Sequence, residues 1–61
     1  MFFENIRLAQ KFKIPKWGTW YIKISPTTTQ NGRLCNAKKA DDEELTYISL
    51  FEFVRLWVDQ K

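Results

Sequence analysis

The chain has no histidine and one cysteine, Cys35. A single thiol excludes an intrachain disulfide, and without histidine a zinc site has too few ligands. With no imidazole to activate it, Cys35 is read as a small residue filling a strand position rather than a nucleophile. There are only two glycines and two prolines, so no glycine-rich phosphate loop is present. No nucleophile has a plausible base beside it, and the carboxylates cluster in a loop or on one strip of a predicted helix; an enzyme is not expected, and no metal or cofactor is called for. No run approaches the roughly 18 apolar residues of a membrane span. The start lacks the charged-then-apolar pattern of a signal peptide, so the expectation is a soluble, intracellular protein of the cytoplasm, nucleoid or nucleus.

Charge is present but unevenly distributed. Residues 1–39 hold eight cations against Glu4 alone, a net of +7, whereas residues 40–61 hold two cations against six acids, a net of −4. So one-sided a segment points to an anionic partner, nucleic acid first. Sixty-one residues make one small domain, 1–61, which buries only about 60% of the surface its unfolded chain exposes. With disulfide and zinc excluded, association is the remaining way to support so small a core, and a homodimer is expected.

Period-two alternation predicts a first strand over residues 6–14, with Ile6, Leu8, Phe12 and Ile14 on the apolar side. Pro15-Lys16-Trp17-Gly18 supplies a hairpin loop. Thr19–Ser25 reads as the second strand, with Trp20, Ile22 and Ile24 facing the core and Tyr21 and Lys23 facing away. Pro26 is expected to stop it, leaving Ser25–Gly32 as an exposed connector that ends on the turn dipeptide Asn31-Gly32. Arg33–Lys39 is a weaker third strand, Asp41–Glu44 a solvated loop, and Leu45–Ile48 a short fourth strand.

The stretch Tyr47–Asp59 predicts a helix from Leu50. Ser49 and Glu52 are spaced as a capping box, and Ile48 and Phe53 as a hydrophobic staple. On a helix its apolar residues span an arc of roughly 220°, with Glu52, Arg55 and Asp59 on the polar strip, where a core-facing stripe needs little over 100°. The excess assigns Phe51, Val54, Trp57 and Val58 to a dimer interface. The predicted fold class is therefore α+β: a four-stranded antiparallel sheet followed by one C-terminal helix packed on one sheet face.

The other face would gather Arg7, Lys11, Lys13, Tyr21 and Lys23, with Lys16 and Trp17 at the hairpin tip. Cations neutralise phosphates and flat rings stack on unpaired bases, so these seven residues are the candidate contacts for single-stranded nucleic acid. Trp17 has a plainer alternative role, closing the end of the core. The competing function is a protein-interaction module, an inhibitor or adaptor of a larger protein partner, with Phe51, Leu56 and Val58 as its contact.

Lys11-Phe12-Lys13 and Ile48-Ser49-Leu50 resemble two segments of the positive cofactor four transcriptional coactivator family, a basic-aromatic stretch in the first hairpin and the entry to the helix. The resemblance implies four strands and a helix, dimerisation through the helices and binding of single-stranded DNA along basic sheet grooves, which favours DNA as the ligand. Tyr47 stands where the family usually has glycine, and Thr27–Thr29 lacks an expected aromatic. The resemblance also implies that Phe12 stacks on ligand, whereas its period places it in the core. A bulge near Gln10 reconciles the two.

Overall fold

The computed structural model describes residues 1–57. A 3₁₀ turn, Phe3–Asn5, precedes five strands: β1 Lys11–Lys13, β2 Trp20–Thr28, β3 Leu34–Lys39, β4 Leu45–Thr46 and β5 Arg55–Leu56. They form one antiparallel sheet in the order β4-β3-β2-β1-β5. The first four make a meander of hairpins, and the fifth returns to lie beside the first, a Greek-key type of return. To do so, the chain after β4 crosses from one sheet edge to the other, burying Ile48 and Val54 on the way.

No α-helix occurs among the described residues, so the expected α+β class is corrected to an all-β sheet. Where the helix was expected, Glu52 N–H donates to the Ser49 carbonyl at 3.0 Å, closing a turn. Ser49 Oγ accepts from the Phe51 N–H at 3.4 Å. The hydroxyl thus does what a helix cap would do, but inside a turn, since serine serves both motifs. Beyond it the backbone is taken by the N-terminus: Phe3 N–H donates to Glu52 O at 2.9 Å, Glu4 N–H to Leu50 O at 3.0 Å and Val54 N–H to Met1 O at 2.8 Å. Those long-range bonds outweigh a local helical pattern rich in β-favouring Phe, Val and Trp. Residues 58 and 59 of the expected helix lie outside the described residues.

β1 is shorter than the alternation suggested. Arg7–Gln10 forms a turn closed by Gln10 N–H to Arg7 O at 3.2 Å, with Ala9 at φ 69°, and Leu8 is left exposed. β2 is longer, running through Pro26 to Thr28. The ladder to β3 shifts between Lys23 and Thr27, where β2 carries two more residues than its partner. Pro26, which lacks an N–H, falls in that irregularity and so removes no ladder bond. Gly32, at φ 78°, completes the hairpin tip where Thr29 Oγ1 accepts from Arg33 N–H at 3.2 Å.

The core lies on one face. Phe12, Tyr21 and Ala37 point into it from the strands and Ile14 from the residue after β1, and Phe3, Ile6, Ile48 and Val54 close over them. Phe12 meets Phe3 edge to face at 5.2 Å and stacks near Tyr21 at 5.8 Å. Asn36, buried, holds the crossing segment: its Nδ2 donates to Ile48 O at 2.8 Å and its Oδ1 accepts from Ile48 N–H at 2.7 Å.

Candidate nucleic-acid interface

The register decides what the open face carries. Phe12 pairs with Tyr21, Lys13 with Trp20 and Lys11 with Ile22. Residues paired across an antiparallel ladder share a face, so Tyr21 joins Phe12 in the core and Trp20 and Ile22 join the lysines outside. The expected phase of β2 is therefore inverted. A one-residue shift of register exchanges every side chain between faces, and the six-residue connection from Ile14 to Thr19 sets this one.

Two rows of side chains cross the open face. One runs Trp20, Lys13, Arg55; the other runs Leu45, Lys38, Ile22, Lys11. Trp57 extends the second row, its N–H donating to Lys11 O at 2.9 Å. The indoles of Trp20 and Trp57 meet edge to face with centroids 4.8 Å apart. Lys11 Nζ lies 4.3 Å from the Trp57 ring centroid and Lys13 Nζ 5.1 Å from that of Trp20. A lysine over a ring gains about 0.5–1 kcal/mol and keeps its outward N–H donors for an anion. Lys38 pairs with Glu43 at 2.8 Å, and that hydrogen bond and charge hold the Glu43 carboxyl below its ordinary value. The pair is exposed, so it contributes little; what it adds is present at neutral pH and lost as pH falls through the lowered pKa. Beside Trp20 a shallow notch of about 350 Å³ is walled by Lys11, Thr19 and Asp41, among others.

Of the seven residues expected to contact nucleic acid, Lys11 and Lys13 stand on this face. Arg7 lies in the turn before β1, and Lys16 and Trp17 lie in the turn after it. Trp17, 51% exposed, packs edge to face on Tyr21 at 6.1 Å. Tyr21 is only 6% exposed, so no base reaches its ring.

Lys23 also points to the core side. Its ammonium donates to the carbonyls of Ile6 at 2.7 Å, Phe3 at 3.1 Å and Glu4 at 3.5 Å, and lies 4.8 Å from the Phe3 ring centroid. It pins the N-terminal turn to the sheet, its stem covering apolar surface while its head satisfies backbone oxygens. Lys23→Met keeps the stem and removes those bonds. At about 1.5–3 kcal/mol for hydrogen bonds to a charged group, the expected result is a lower urea midpoint with unchanged affinity of the folded protein for oligonucleotides.

Trp20, Arg55, Lys38 and Trp57 are the residues that sequence reasoning did not place here. Phe12 is fully buried, so the core reading of its period holds and its ring is closed to ligand. The expected dimer residues do not form one surface: Val54 is in the core, Trp57 is on the open face, Phe51 is 72% exposed at a turn, and Val58 lies outside the described residues. No helix among the described residues is long and apolar enough to cross a membrane, and none of their side chains group as a metal site. No protein-family model, curated protein or solved structure matches the chain.

Proposed function

We propose that this chain is a non-enzymatic binding protein for single-stranded nucleic acid, DNA favoured, held on the open face of the sheet. The observation that carries the reading is the pairing of Lys11 with Trp57 and Lys13 with Trp20 around two touching indoles. Unpaired bases stack on the rings, and Lys11, Lys13 and Arg55 neutralise the phosphates between them, Lys38 being taken by Glu43. Stacking accepts any base, so weak sequence preference is expected. A duplex hides its base faces and offers only phosphates, so it binds less tightly.

Three phosphate contacts on a single strand give a slope of log affinity against log salt of about −2, and a fourfold rise in salt lowers affinity about 20-fold. Titration of a labelled single-stranded oligonucleotide at several salt concentrations checks this. Affinity independent of salt, or equal affinity for a duplex of the same length, contradicts it.

A further inference from the structure

A second surface lies at the edge where the N-terminus pairs with the segment before β5. Met1, Phe2, Leu50, Phe51 and Phe53 are 49%, 46%, 44%, 72% and 59% exposed. Phe2 and Phe53 form an isolated β-bridge and their rings meet at 6.2 Å. At about 200 Å² for a large aromatic side chain, these fractions leave roughly 500 Å² of apolar surface open, the size of the largest apolar patch on a typical monomer, which is often functional.

The surface carries a projection and a recess formed by consecutive residues. Phe51 stands at the tip of the Ser49–Glu52 turn. The two residues that follow it in the chain, Glu52 and Phe53, line a notch of about 300 Å³ together with Ile14, Pro15 and Lys16. Lys16 and Glu52 put one charge of each sign on its rim, and no ion pair joins them among the described residues. A two-fold axis makes contacts reciprocal, so a surface carrying both a knob and its hole, and both halves of an ion pair, is complementary to itself.

We propose that this surface pairs with a second copy of the chain: Phe51 of each copy enters the notch of the other, and Lys16 of each faces Glu52 of the other. Complete burial of the patch on both copies removes roughly 1,000 Å², about what a biological interface must clear and the size of a weak one. The interface lies apart from the lysine–tryptophan face, so it stands or falls independently of nucleic-acid binding.

The test is the mass in solution without nucleic acid, by sedimentation equilibrium through the micromolar range. The wild type is expected at twice its 7.4 kDa. Phe51→Glu, present twice in the pair, is expected to raise the dissociation constant roughly 1,000-fold while far-ultraviolet circular dichroism stays unchanged. Lys16→Glu and Glu52→Lys each raise it about fivefold, and the two together restore it. A 7.4 kDa wild type, a Phe51→Glu protein that remains dimeric, or a double reversal no tighter than the single ones overturns the proposal.

Discussion

Phe12→Ala is expected to remove more than half of the chain's stability and to lower its urea midpoint in proportion. The ring is fully buried, packed against Phe3 and Tyr21, and its strand is the one that joins β2 to β5. Truncating a core phenylalanine costs about 3–5 kcal/mol. A domain of this size is stable by only about 3–9 kcal/mol, so the loss consumes most of that margin. Near-ultraviolet circular dichroism and urea titration check it, with Phe12→Leu as the conservative control expected to remain folded. A Phe12→Ala protein with a wild-type urea midpoint would mean that the core lies elsewhere.

Trp57→Ala is expected to weaken binding of single-stranded oligonucleotide roughly 5- to 150-fold, the equivalent of one lost stacking contact. Trp57 is 45% exposed and outside the core cluster, so the fold should persist. The loss also removes the ring beneath Lys11 and the neighbour of Trp20, which pushes the effect toward the upper end. Trp17→Ala is the matched control: its indole is slightly more exposed but belongs to the core side through Tyr21. Unchanged affinity is expected there, and equal losses in the two variants would show that aromatic content rather than the open face governs binding.

The alternation Lys11-Phe12-Lys13 was legible from the chain alone, because two cations flanking one phenylalanine allow only one side to be buried. The neighbouring strand was not. Tyr21 and Lys23 look like wet-face residues beside Trp20, Ile22 and Ile24, yet the core takes the tyrosine ring and the lysine stem because Nζ of Lys23 finds three carbonyls there. Hydropathy cannot report a partner contributed by a turn 17 to 20 residues away. The pairing of residues 1–4 with residues 50–54 is equally non-local, and it turns a helix-like capping pattern at Ser49 and Glu52 into a β-turn. On a helix Trp57 and Arg55 would lie away from Lys11 and Lys13; only the pairing of β5 with β1 brings the four together.

The three indoles make the central claim directly measurable, because Trp20 and Trp57 stand on the open face and Trp17 on the other side. Titrating the ¹⁵N-labelled protein with a single-stranded oligonucleotide at low salt should shift the Nε1–H resonances of Trp20 and Trp57 and leave that of Trp17 in place. Shifts confined to Trp17, or none at any indole at saturating oligonucleotide, would contradict binding on this face.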